Sequence, residues 1–253
     1  MQGSFLVIDD EESIRYTFET FLRDEGYTVA TARDGGEALP LLEQGTFDVI
    51  FADILLQDCT GLDLLRRIKE RRLDSPVIMI TGYPNVESAS EAVRLGAFDY
   101  LVKPVRQDQL IHVAFQALRH KALAEEKEKY RSNLEAIFRS VKDAIITVDQ
   151  ELKVVEINDA AMEMCGYGRE VIGRPFEAIP KGCQGRCIHV LKEAARRQQP
   201  MEARRIECQI KGRPRYVLNL TVYPLLESTG ANAGFVLVSK DETRLVSLEE
   251  SLA

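Results

Sequence analysis

The sequence predicts an α/β domain, a five-stranded doubly wound parallel sheet, joined by a long helix to an α+β domain with an antiparallel sheet. Three observations predict it. In the first half, five short apolar runs alternate with five stretches of helical periodicity, the pattern of a parallel sheet covered by helices on both faces. From Gln107 to about Val141 the chain has neither Gly nor Pro and is highly charged, as expected of a helix running between two bodies. Beyond it come two short strands, short irregular helices and three longer strands, the order of an antiparallel sheet with helices inserted after its second strand. A chain of 253 residues, 45% of them hydrophobic, is long enough to fill two cores.

Each element has its own local justification. FLVI (5–8), TVATA (28–32), DVIFA (48–52), VIMI (77–80) and FDYLV (98–102) read as strands. Between them, 12–24 carries Ile14, Phe18, Phe21 and Leu22 at helical spacing, and 35–44, 61–72, 86–95 and the stretch from 107 behave similarly. Pro40 lies inside the second helix, which predicts a late start or a bend there. In the long helix, Leu123, Tyr130, Leu134, Ile137 and Val141 fit a heptad that Lys127 interrupts. That pattern serves a helix paired with a second copy or a solvated monomeric linker. In the second half, AIITVD (144–149) and KVVEIN (152–157) are strands joined by a tight turn, followed by the helical patch DAAMEMCGY. Residues 201–210, 215–225 and 234–241 are the longer strands, and ETRLVSLEESLA restarts a helix. The implied division is a first domain over 1–121, a connecting helix over 122–136, a second domain over 137–245 and a C-terminal helix starting at 246.

Composition narrows the function. The net charge is -7, and residues 1–123 carry all of it, with 20 Asp and Glu against 13 Lys and Arg. This argues against an extensive nucleic-acid footprint, so no direct nucleic-acid contact is expected. The start MQGSFLVIDD lacks the form of a signal peptide and no apolar run approaches a membrane span, so a cytoplasmic protein without membrane contact is expected. Five cysteines without a regular framework point to reduced thiols. The basic runs at 66–72 and 202–205 read as solvated faces.

In a parallel sheet of this kind, functional groups gather at the carboxyl ends of the strands. Asp9 and Asp10 follow the first strand, Asp53 the third, Thr81 and Gly82 the fourth, and Lys103 and Pro104 the fifth. Three carboxylates at one edge repel one another unless a cation neutralises them. Mg²⁺, a hard ion that combines a few carboxylates with waters and a phosphate, suits that set. A carboxylate is also a nucleophile able to receive a phosphoryl group, whose oxygens a lysine and a hydroxyl can stabilise.

These residues match a family. VIDDEE, DVIFADILLQDCTGLDLL, PVIMITGY and AFDYLVKPV resemble the receiver domain of bacterial two-component response regulators, over residues 1 to about 121. The resemblance implies a flavodoxin-like fold, Asp53 as phosphoacceptor, and Mg²⁺ held by Asp9, Asp10, Asp53 and the Leu55 carbonyl. It makes Thr81 and Lys103 the phosphate-sensing pair and Tyr100 an aromatic that turns inward once the threonine engages phosphate. It implies a cognate histidine kinase as donor and no enzymatic activity beyond self-phosphorylation and autodephosphorylation. The loop LLQDCTG departs from the family pattern, so Gln57 and Asp58 are candidates for altering metal affinity or dephosphorylation.

Residues 134–245 resemble a PAS domain, through NLEAIFRSVKDAIITVDQELKVVEINDAAMEMCGYGREVIGRPF, with Asn158 opening a helix, and the closing GFVLVSKDETRL. Such domains commonly bind a small molecule in the cavity of the sheet, or dimerise, and here the ligand is unknown. Cys183 and Cys187 are four apart with His189 nearby, Cys165 ends a helix, and Cys208 shares a strand face with Ile206 and Ile210. These sulfurs admit a metal or redox site or ordinary packing. RCIHVL echoes the cysteine segment of light-sensing flavin domains, but GFVLVSK lacks the amide side chain that would bond the ring. His189 is not read as a haem ligand, and neither His112 nor His120 sits in an acid-x-x-x-Pro context. The expected function is a phosphorylation-controlled relay to the PAS domain, with a possible homodimer through the connecting helix and PAS domain. The alternatives are a ligand- or redox-sensing PAS protein with the receiver as docking surface, and the regulatory front of a longer kinase or transcription activator.

Overall fold

The computed structural model describes residues 3–71, 73–179, 185–209 and 214–252. The chain divides into two compact units, Met1–Lys129 and Tyr130–Ala253.

In the first unit, β1 (Ser4–Ile8), β2 (Thr28–Ala32), β3 (Val49–Asp53), β4 (Val77–Thr81) and β5 (Asp99–Val102) form one parallel sheet in the order β2-β1-β3-β4-β5. Helices α1 (Glu12–Asp24), α2 (Gly35–Gln44), α3 (Gly61–Glu70), α4 (Val86–Arg94) and α5 (Gln107–Ser140) follow the strands in turn. Every residue of β3 and β4 is buried, the reason those segments read as continuous apolar runs. Because side chains alternate along a strand, the sheet has two cores. Phe5, Val7, Phe51, Ile78 and Ile80 pack with Phe18 and Leu22 of α1 and Leu110, Val113 and Ala117 of α5. Leu6, Ile8, Ile50, Ala52 and Met79 pack with Ala38 and Leu42 of α2, Leu64 and Leu65 of α3 and Ala92 of α4.

Helix α2 begins at Gly35 and runs through Pro40, so the late start expected from that proline is not observed. Its first turn is fully capped. Asp34 accepts from the Glu37 amide, while the amides of Gly35 and Gly36 donate to the carboxylate of Asp58. Capping on this scale stabilises a helix by about 1 kcal/mol or more and fixes where it starts.

In the second unit, β6 (Ala144–Val148), β7 (Val154–Ile157), β8 (Met201–Cys208), β9 (Tyr216–Leu226) and β10 (Asn232–Asp241) form an antiparallel sheet in the order β7-β6-β10-β9-β8. Helix α6 (Asp159–Cys165), two short 3₁₀ turns (Arg169–Val171 and Phe176–Ala178) and α7 (Arg186–Arg197) lie between β7 and β8, and α8 (Thr243–Ser251) follows β10. Ile146, Val148, Leu220, Val222, Phe235 and Leu237 of the sheet meet Ala161, Met164, Phe176, Leu191 and Ala194 in one core.

Helix α5 changes character along its 34 residues. Its buried positions end at Leu118, whereas Leu123, Tyr130, Leu134 and Ile137 are exposed. Among the described residues no helix is long and apolar enough to cross a membrane.

Candidate functional site

Parallel strands present their carboxyl ends at one edge, and β1, β3, β4 and β5 are consecutive in the sheet. Asp9 follows Ile8, Asp53 ends β3 and Thr81 ends β4, with Asp53 in register with Ile80 and Thr81 with Val102. The strand order reverses between β1 and β3, the position at which such sheets open a crevice. Asp9 and Asp53 flank it.

The carboxylates of Asp9, Asp10 and Asp53 offer oxygens that all lie within 4.8 Å of one another. Asp53 is held from two sides: the Leu55 amide donates to Oδ1 at 3.0 Å and the Lys103 ammonium to Oδ2 at 2.5 Å. Lys103 also reaches Glu11 at 3.0 Å. Its ammonium lies 2.8 Å from Asp9 Oδ2, yet outside hydrogen-bonding geometry, so that buried oxygen has no directed donor. Asp9 Oδ1 accepts from the Glu11 amide. Burial raises the Asp9 carboxyl to about 6 even though Lys103 and the Glu11 amide favour its charge. Burial also works against the Lys103 ammonium, but its hydrogen bonds to Asp53 and Glu11 and the nearby charge of Asp9 outweigh it and hold its pKa above the ordinary lysine value.

An oxygen-only donor set, with a buried acceptor lacking a directed donor and a half-exposed Asp10 at its mouth, fits a small hard cation. The Leu55 backbone is beside Asp53, bridged across the loop to Thr60. Thr81 is buried, and its hydroxyl accepts from the Tyr83 amide. Tyr100 is half-buried against the α2–α3 side of the sheet, its hydroxyl 3.1 Å from Ser88 Oγ on α4.

Sequence reasoning missed several participants. Arg15 of α1 donates to the carbonyls of Asp9 and Asp10 and steadies the acidic turn; Glu11 and Ser88 are the others. Glu11 was visible as the acid that extends the VIDDEE run, whereas no local signal marks Ser88. Asp58, suspected as a departure, grips the start of α2.

In the second unit, Cys165, Cys187 and Cys208 line one small cavity with Tyr167, Phe176 and Ser239, of about 20 Å³, room for about one water. Cys183 lies outside the described residues. His189 borders a different groove, with Arg186, Ala203 and Arg204, because positions two apart on α7 point to different sides. Among the described residues, the acid cluster is the one group of three ligating side chains close enough to share an ion. Asn158 is fully buried. Its Oδ1 accepts from the amides of Ile145 and Ala161, and its Nδ2 donates to the carbonyls of Phe138, Val141 and Asp143. The described basic runs are ion-paired at the surface, Arg66 with Asp63 and Glu91, Arg204 with Glu202 and Arg205 with Glu249.

Comparison with known proteins finds a domain family for each part of the chain. Residues 5–115 match the response regulator receiver domain and residues 142–244 the PAS domain. Curated relatives include the alginate biosynthesis transcriptional regulatory protein AlgB of Pseudomonas syringae pv. tomato, 32% identical over 196 residues, covering 75% of this chain and 44% of AlgB. The nitrogen assimilation regulatory protein NtrX of Azorhizobium caulinodans is 31% identical over 198 residues, covering 73% of this chain and 42% of NtrX. Among solved structures, NtrX from Brucella abortus in complex with ADP is 40% identical, with a TM-score of 0.49, over 52% of this chain and 29% of that one. The chain thus spans less than half the length of the curated relatives it matches. It carries a response regulator receiver domain over residues 5–115, followed by a PAS domain over residues 142–244.

Proposed function

We propose that Asp53 is the phosphoacceptor of this receiver domain and that a histidine kinase is its donor. The observation that carries the reading is the placement of Asp53 between the Lys103 ammonium and the Leu55 amide, within 4.8 Å of two further carboxylates. Asp9, Asp10, Asp53 and the Leu55 carbonyl would hold Mg²⁺, which when bound neutralises charge on the phosphoryl oxygens. An Asp53 carboxylate oxygen forms a bond to phosphorus as the bond from phosphorus to the donor imidazole breaks, and the nitrogen leaves with the electron pair. Lys103 shifts from Asp53 to a phosphoryl oxygen, and the Thr81 hydroxyl donates to another. Tyr100 then leaves Ser88 and turns inward. Hydrolysis of the phosphorus–oxygen bond returns the carboxylate and inorganic phosphate. Borohydride reduction of the phosphorylated protein tests the assignment, since an acyl phosphate at Asp53 is converted to the alcohol at that position alone. A reduced residue elsewhere would sink it.

The output proposed is a change at the Tyr100 and α5 face, passed along α5 to the PAS domain or to pairing with a second copy through exposed Leu123, Tyr130, Leu134 and Ile137. Sedimentation with and without a beryllium fluoride phosphate mimic reads this, and identical behaviour in both would remove pairing as the output. Relatives matched over part of their length are named transcriptional regulatory proteins, so nucleic-acid contact stays open as an output.

A second reading has its own observation, the three cysteines converging on one cavity. In it the PAS domain senses a small ligand or redox state and the receiver is a docking surface. Absorbance and metal analysis of anaerobically purified protein decide it: a colourless, metal-free protein excludes a chromophoric or metal cofactor.

A further inference from the structure

We infer that Asp58 is a positioning residue for the Asp53 site, fastening the loop after β3 to the first turn of α2 and so fixing the Leu55 backbone beside Asp53. The inference rests on the reading of Asp53 as a Mg²⁺-dependent phosphoacceptor. The loop of residues 54–60 is closed at its base, where the Gly61 amide donates to the Ile54 carbonyl at 2.9 Å and Leu55 bridges Thr60. Gly61 is required there, because a Cβ would lie 2.0 Å from the Asp53 carbonyl oxygen. The tip is held by its contact with α2, while Leu56 packs against the core on the α2–α3 side. Asp58 Oδ1 accepts from the Gly35 amide at 3.0 Å and Oδ2 from the Gly36 amide at 2.9 Å. Two first-turn amides that have no partner within the helix grip one carboxylate at its positive end. The contact is close: a Cβ on Gly35 would stand 2.6 Å from Cys59 Sγ.

Helix α2 is anchored in turn by buried Ala38 and Leu42, so the loop is tied to a packed body at its tip and to the sheet at its base. Leu55 belongs to the base of this loop, three residues before the tie that Asp58 makes. Its amide already binds Asp53, and its carbonyl is the oxygen expected to complete the cation site. A loop with one placement presents that oxygen without reorganisation, whereas a loop freed at its tip must be ordered on binding. Asp58 thereby acts on metal affinity without touching the metal, the acids or phosphate.

The test is calorimetric titration of the full chain with Mg²⁺, together with hydrogen exchange over residues 54–61. Asp58→Ala is expected to weaken Mg²⁺ binding on the order of tenfold and to lose protection at Leu55. Asp58→Asn, which keeps one acceptor oxygen, is expected to lose less, and it serves where the alanine variant folds poorly. Asp34→Ala supplies the contrast: it removes the other cap of α2 and lowers the thermal midpoint, but leaves Asp58 in place, so wild-type Mg²⁺ affinity is expected. Wild-type affinity in Asp58→Ala, or an equal loss in Asp34→Ala, would overturn the positioning role while leaving Asp53 untouched. A wild-type protein that binds no Mg²⁺ would overturn the reading of the acid cluster itself, and this inference with it.

Discussion

Asp9 is fully buried, and one of its oxygens has an ammonium near it but no directed donor. Its charge is therefore costly without a cation and useful with one. Asp9→Asn should leave the metal-free protein as stable as wild type or raise its stability by roughly 1–3 kcal/mol, while abolishing most of the stabilisation that Mg²⁺ gives. Thermal unfolding with and without Mg²⁺ checks this, and a wild-type Mg²⁺ shift in the variant would count against Asp9 as a ligand. The acids, Thr81 and Lys103 were legible in the sequence because strand ends of a parallel sheet share an edge. Ser88 beside Tyr100, and Arg15 on the acidic turn, were not, since which helix face meets a given strand end depends on tertiary packing that spacing does not encode.

At the scale of elements, helix α5 is secured near its middle and at its C-terminal end by single polar side chains. Lys121 donates to Asp48 at 2.8 Å and to the Phe47 carbonyl, tying α5 to the segment that leads into β3. Burial alone would raise the Asp48 carboxyl, but Lys121 and the Ser4 amide outweigh it and hold it below the usual carboxylate range. The folded state thus favours the charged form, so this stabilisation is complete above about pH 4 and is lost as the pH falls through the lowered folded value. Asp48→Asn should cost about 1 kcal/mol at pH 7, and the deficit should narrow as denaturant midpoints are measured below about pH 4. A deficit independent of pH would contradict the ion pair. At the C-terminal end of α5, Asn158 satisfies carbonyls of Phe138 and Val141 in its last turn and exit, while capping α6. Asn158→Ala should destabilise the second unit by about 3 kcal/mol, the sum of a lost cap and buried groups left unpaired, and should raise hydrogen exchange at the end of α5. Unchanged exchange there would show that Asn158 serves α6 alone. Helix α2 illustrates the limit of local reading: Pro40 argued for a late start, but Asp34 and Asp58 decide where the helix begins, and Asp58 is a partner 22 residues away from Gly36.

Across the whole molecule, the change from five alternating βα units to an antiparallel sheet was legible because hydrophobic period and loop composition change together near residue 141. The convergence of Cys165, Cys187 and Cys208 on one cavity was not. They come from a helix end, a second helix and an edge strand, and only the closed fold brings such positions together. Helix α5 is the one element whose residues belong to both units, so any relay from Asp53 to the PAS domain has a covalent route through it. That relay depends on Asp53 accepting phosphate. Intact-mass measurement after incubation with acetyl phosphate and Mg²⁺ tests this most directly, comparing wild type with Asp53→Asn and with a chelated control. One added phosphoryl group is expected on the wild type with Mg²⁺ and none in either control. Equal labelling of Asp53→Asn would contradict it.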